Sequence, residues 1–271
     1  MSLASKLPWN HRFAGGYPGL SSQPLPTDAD AIDYLSRMAT ADGAGVEVGV
    51  ATAVDAFFRD SKAAGVFSAL KACCILTGAR TLAGALVPVV GDAPTPNGFV
   101  SGDYSRTDGL RDPGGTSLLD TGRSSTDDPQ NDVHLAAYLT ALQSSGGGIV
   151  AAFDAGPPVV GTQLSMTAGG NFFTRCRTIN ADQTDALATG FAGMSRSSSS
   201  EYAKRNDGST ATVSETSFAQ SASNYAVFSN ATSGQPTTDA TIAFYSIGTG
   251  VDLEDLDAAV TNLITAIGAA L

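Results

Sequence analysis

From about residue 79 onward the chain consists of short apolar or alternating runs, each bounded by Gly, Pro, Asn or Asp. Such punctuation leaves no room for long helices and is the mark of antiparallel strands joined by turns. Ten segments read as strands: 98–101, 133–139, 148–153, 162–166, 172–178, 188–195, 201–205, 210–216, 224–229 and 241–247. In one of them Thr210 and Thr212 alternate with Ala211 and Val213, as expected where one sheet face meets solvent. Asn206-Asp207-Gly208 between two candidates is a hairpin signal. This number and spacing of strands predicts a mainly β fold, an antiparallel β-sandwich of two packed sheets.

Both flanks of the β body read differently. Residues 1–27 hold Pro8, Pro18, Pro24 and Pro26, several glycines, and the aromatics Trp9, Phe13 and Tyr17, which predicts an extended N-terminal arm. Aromatics on a chain that cannot form a helix need a surface, either the protein's own core or a neighbouring subunit, so these three are candidate attachment residues. Thr27 can cap a helix over 28–41, with Asp28 and Asp30 in its first turn and Gly43 stopping it. Apolar periodicity predicts two further helices, 46–62 and 66–76, so that 28–78 forms a small helical module. After Gly250, the stripe Leu253, Leu256, Val260, Leu263, Ile264 and Ile267 predicts a terminal helix with an acidic first turn. The β-sandwich with this helix is expected to occupy 79–271.

Only 15% of the 271 residues are charged, and Gly, Ser, Thr and Ala take their place, favouring turns and close packing. The net charge of -11, with no dense run of Lys or Arg, opposes direct contact with nucleic acid, where phosphates must be neutralised. It keeps a crowded assembly soluble. Three cysteines, two of them adjacent, make no disulfide framework and read as buried thiols suited to a reducing cytosol. The first residues lack the apolar segment of a secretory signal, and charges, glycines and Pro88 interrupt every apolar stretch before it could cross a membrane.

Chemistry-bearing patterns are sparse. There are two histidines, His11 and His134, and neither has a companion at metal-ligand spacing. No G-x-S-x-G elbow accompanies His134, and no strand carries the closely spaced carboxylates of a sandwich glycanase. Asp127, Asp128 and Asp132 lie in the stretch TGRSSTDDPQND, which reads as too polar and irregular for a strand; a loop calcium site is an alternative there to a solvated loop. No cofactor is otherwise expected. Arg196, Lys204 and Arg205 gather around Tyr202 in SRSSSSEYAKRND, a candidate ligand surface for a sugar or an acidic neighbour, with an ordinary polar hairpin as the plainer alternative.

The segments LTGARTLAGALVPVVGDAPTPNGFVSGDYSRTDGL, DDPQNDVHLAAY, GMSRSSSSEYAKRNDG and IAFYSIGTGVDLEDLDAAVTNLITAIGAAL resemble the concanavalin A-like, LamG-type domains of virion proteins from tailed, particularly marine, bacteriophages. The resemblance covers about 28–271 and is most specific from Leu76 onward. It implies a jelly-roll sandwich and a structural or adhesive role in a tail fibre, tailspike or capsid decoration. The calcium and sugar ligands of legume lectins and laminin domains have no counterparts here. The sequence thus leads to the expectation of a non-enzymatic virion structural protein, made in the host cytoplasm, with other virion proteins and its own copies as partners. A receptor-binding, lectin-like adhesin for host glycan is the alternative.

Overall fold

The structure is a computed structural model and describes residues 25–144, 146–153, 158–220, 222–228 and 238–271. Trp9, Phe13 and Tyr17 lie outside the described residues. Two helices come first, α1 (Ala29–Asp42) and α2 (Val48–Ala63), and a 3-10 turn over Phe67–Ala69 leads into β1 (Leu70–Ile75). A one-turn helix, α3 (Leu82–Ala85), precedes the short strands β2 (Pro88–Val90), β3 (Thr95–Asn97), β4 (Tyr104–Ser105) and β5 (Gly109–Arg111). Longer strands follow as β6 (Leu118–Ser124), β7 (Val133–Ala141), β8 (Gly147–Phe153), β9 (Gly161–Met166), β10 (Phe172–Thr178) and β11 (Gly190–Arg196). Then come β12 (Tyr202–Asn206), β13 (Ser209–Val213), β14 (Asn224–Val227), β15 (Thr241–Gly248) and helix α4 (Leu253–Ala270).

The strands form two antiparallel sheets. The first has the order β13-β12-β11-β7-β15-β1-β2, with β5 beside β15 and β4 beside β5; the second has the order β10-β9-β8-β14-β6-β3. One core fills the space between them, with Leu135, Leu139, Met194, Tyr245 and Ile247 of the first sheet among the side chains packed there alongside Leu164, Phe172 and Val227 of the second. A second core lies on the other face of the first sheet, where α1, α2 and α4 pack onto it. Alternation along a strand sends neighbours to opposite faces, so Cys73 and Ile75 of β1 join the helical core while Ala72 and Cys74 join the inter-sheet core. Phe57 of α2 meets Phe244 of β15 edge-on with ring centroids 5.9 Å apart. Covered on both faces, β15 has every residue buried, which accounts for its nearly continuous apolar run IAFYSIG.

The mainly β sandwich expected from the turn spacing is present, as are the two leading helices and the terminal one. Several details differ. Residues 66–76 are not a helix: only Phe67–Ala69 coils, and Leu70–Ile75 is a strand paired with β15 on one side and β2 on the other. A fully buried strand shows no alternation, so the run Ala72-Cys73-Cys74-Ile75 carries no period to separate it from a helix. The strand expected at 98–101 sits earlier, at Thr95–Asn97, and Ser101–Asp103 is a 3-10 turn. The polar stretch that begins at Thr121 is in its first part a strand, because β6 runs to Ser124 and pairs with β14 and β3. Gly122, at φ 68, allows it to bulge where the register against β14 shifts.

Helix capping is local. Asp28, rather than Thr27, caps α1, its carboxylate accepting from the backbone N–H groups of Asp30 and Ala31. Thr27 and Asp28 in turn donate their N–H groups to the buried carboxylate of Asp55 on α2, each at 2.7 Å. Asp252 caps α4 in the same manner, accepting from Glu254 and Asp255.

Candidate functional site

The hairpin of β12 and β13 turns through Asp207 and Gly208, at φ 51 and 68, the paired left-handed conformation of a type I′ turn. Its helix-side face, the serine-rich segment before β12 and the start of α4 enclose a groove of about 300 Å³. Ser197, Ser198, Glu201, Thr212, Asp252 and Glu254 are among its lining residues. The groove therefore offers hydroxyls, which donate and accept, together with carboxylates, which only accept. Asp252 is already engaged as the helix cap, leaving the exposed Glu201 and Glu254 as the accessible anionic acceptors.

The four residues picked out from the sequence around this hairpin are positioned together, and their polar ends are engaged within the protein. Arg196 is wholly buried. Its Nε donates to the Cys176 carbonyl at 2.7 Å, Nη1 to the Ser198 and Glu201 carbonyls at 2.8 and 3.0 Å, and Nη2 to the Glu215 carbonyl at 3.0 Å. The Tyr202 ring lies under the Arg196 guanidinium at 5.3 Å, and its hydroxyl bonds Thr174 inside the sandwich. Lys204 is buried and pairs with Asp182 and with Asp185, the latter at 2.6 Å. Burial pulls its amine down, but the hydrogen bonds to these two carboxylates carry its pKa above the ordinary lysine value. Arg205 donates to Asp257 of α4 at 2.7 Å and to Thr210 at 2.9 Å. The groove beside the hairpin, which Tyr202 helps to line, faces solvent, while the Arg196, Lys204 and Arg205 side chains are engaged within the protein. The sequence singled out this segment through its basic residues around Tyr202 and gave no signal for the contribution of α4, which lies about fifty residues later in the chain and meets the groove only through packing.

His134, in β7, is completely buried, with Nδ1 2.6 Å from the Thr249 carbonyl and Nε2 3.1 Å from the Ser246 hydroxyl. Burial lowers its pKa to about 4, against the smaller raising effect of the Thr249 carbonyl, so the ring is neutral at pH 7. Cys73, Cys74 and Cys176 are buried free thiols. Burial pushes Cys74 and Cys176 each up to about 12, far from the thiolate that reacts.

Asp127, Asp128 and Asp132 do not share a centre. Asp127 accepts the Ser124 N–H at 2.9 Å, Asp128 pairs with Arg123 at 2.6 Å, and Asp132 accepts the Gly250 N–H at 2.6 Å. Gly250 can come this close because a Cβ there would stand 2.7 Å from the Arg196 carbonyl. Among the described residues no group of three or more His, Cys, Asp or Glu side chains is placed to hold a metal ion.

A second cleft, of about 370 Å³, lies where β4 and β5 meet the ends of β7 and β15. Tyr104 reaches its edge with the hydroxyl donating to the Ala79 carbonyl at 2.8 Å, and Ser105 donates to Asp108 at 2.7 Å. Among the described residues no helix is long and apolar enough to cross a membrane.

The architecture defines a two-sheet antiparallel β-sandwich with a helical third layer. No family model matches the chain, and no curated protein matches it. Among solved structures it is similar to a Ruminococcus gnavus IT-sialidase CBM40 bound to alpha2,6 sialyllactose, at 12% identity and a TM-score of 0.43, over 56% of this chain and 96% of that one. It is similar to a Trypanosoma rangeli sialidase in complex with sialic acid, at 10% identity and a TM-score of 0.48, over 79% of this chain and 38% of that one. The enzymatically active domain of bacteriophage CBA120 tailspike protein 2 is a third, at 12% identity and a TM-score of 0.42, over 62% of this chain and 30% of that one.

Proposed function

We propose that this chain is a non-catalytic structural protein of a bacteriophage virion, a capsid decoration or tail-fibre component whose sandwich presents a polar surface. The observation that carries this reading is how its reactive groups are spent. His134, the three thiols and Arg196 are all interior and hold the sandwich together, and the exposed groove displays hydroxyls and carboxylates. The LamG-type resemblance of the sequence supplies the phage assignment, and the acidic, low-charge composition suits a crowded particle surface. The arm with Trp9, Phe13 and Tyr17 is the proposed attachment segment. Immunogold labelling of intact particles from a phage encoding this chain is expected to decorate the head or tail, and a chain lacking residues 1–26 is expected to be missing from purified particles. Absence of label, or release of reducing ends from host polysaccharide by the purified protein, rejects the reading.

A second reading, a lectin-like adhesin for host glycan, is favoured by the groove itself, since hydroxyls and carboxylates are the partners that sugar hydroxyls require. A glycan array probed with the wild type and with Glu201→Gln plus Glu254→Gln tests it: binding that the double substitution weakens supports the adhesin, and an array without signal removes it.

A further inference from the structure

Among the described residues the sandwich guards its strand edges with one exception; β4, which ends the branch through β5, is only two residues long. In the first sheet, β2 is three residues long, begins with Pro88, and has the Pro88 carbonyl taken by Arg37 at 2.8 Å. In the second sheet, β3 is three residues long and contains Pro96. The edge of β10 is covered by the following segment, with Phe172 and Thr174 donating their N–H groups to Asp185 and Asp182 at 2.7 and 2.8 Å. These are the ordinary devices that stop a sheet from pairing with another chain. Among the described residues the edge of β13 has none of them. Its sequence, Ser209-Thr210-Ala211-Thr212-Val213, has no proline, no charge and no bulge, and its first four residues are exposed.

The direction of its free hydrogen-bonding groups follows from the hairpin. In a two-residue hairpin the flanking pair, here Asn206 and Ser209, exchanges both backbone bonds, and bonded pairs then alternate. Ser209, Ala211 and Val213 therefore address β12, and the N–H and C=O groups of Thr210 and Thr212 point outward from the sheet. An antiparallel copy of the same strand, related by a two-fold axis through Ala211, places Thr210 opposite Thr212 and Thr212 opposite Thr210. All the outward groups of both strands are satisfied in that one register. The edge is self-complementary, as an isologous interface requires. Charge permits the approach, because β13 itself carries no charged side chain.

We propose that β13 is a dimerisation edge, pairing antiparallel with β13 of a second copy so that the two first sheets become one continuous sheet. This proposal does not depend on where the protein resides, because it concerns the isolated chain. Sedimentation equilibrium on the full chain, from low micromolar to near millimolar concentration, tests it together with hydrogen exchange. The wild-type mass is expected to rise from 27.4 kDa towards twice that value. The amides of Thr210 and Thr212 are expected to exchange about tenfold more slowly, or better, at high concentration than at low, since only pairing protects them. Thr210→Lys plus Thr212→Lys, charges of the kind that guard natural edges, is expected to stay at the monomer mass with an unchanged circular dichroism spectrum. Thr212→Pro, which removes one outward donor, is a second variant with the same expected outcome. A wild type that remains monomeric throughout overturns the proposal, even if it captures an extended peptide, and so does an oligomer that persists in both variants.

Discussion

The Arg196 guanidinium, on β11 of the first sheet, donates to the Cys176 carbonyl, on β10 of the second, at 2.7 Å, so a single side chain ties the two layers together. It is fully buried with its hydrogen bonds going to four backbone carbonyls. Truncating it leaves the interior Cys176 carbonyl without a donor and removes three part-buried bonds as well, and an orphaned buried group costs about 1–3 kcal/mol. Arg196→Ala is expected to lower stability by about 3–5 kcal/mol in urea unfolding. Arg196→Lys is expected to recover little of this, since an ammonium cannot reproduce the planar fork.

His134 gives the fold an acid limit. Its folded pKa of about 4 lies below the ordinary 6.5, so between those values the unfolded chain binds a proton that the native chain does not. Stability from this residue is complete above 6.5 and is lost as pH falls through 4, roughly 3 kcal/mol in all. Asp28 and Asp239, whose pKa values are lowered from 3.8, contribute below that window. Denaturant titrations between pH 7 and 4.5 are expected to show a falling unfolding free energy in the wild type and a flatter profile in His134→Gln.

The helical layer is attached through aromatic contacts. Phe57 is 2% exposed and packs against Phe244, and Phe58 adds contacts to Tyr34 and Phe67. Phe57→Ala is expected to cost about 3–5 kcal/mol, measured by chemical denaturation, through lost burial and the cavity left behind.

Cys73, Cys74 and Cys176 are expected to resist a thiol reagent in the native protein and to react together, at the rate of global unfolding, when denaturant is added. Burial both shields them and opposes the thiolate. A fast-reacting fraction in native buffer would contradict the packing of β1 and β10.

The Lys204 ammonium holds the segment containing Asp182 and Asp185 over the edge of β10. Lys204→Ala is expected to increase hydrogen exchange in 179–188 with smaller effects elsewhere, and to lower overall stability by about 1–3 kcal/mol.

What the sequence determined by itself were the features written locally. Turn residues between short runs set the sandwich, Asn206-Asp207-Gly208 set one hairpin, and apolar stripes with acidic first turns set α1 and α4, because each depends on neighbours within a few residues. Three things were decided only by tertiary structure. The strand β1 lies between two partners with both faces covered, so its sequence has no alternation to display. The polar β6 becomes a strand because β14 and β3 supply its hydrogen bonds. The cluster of Arg196, Tyr202 and Lys204 could be located as a group, but whether it faced a ligand or the interior depended on carbonyls and carboxylates contributed by β10, the segment after it and Glu215. Burial and pairing are properties of distant chain segments brought together, and a one-dimensional pattern records them only where one face of an element remains in water.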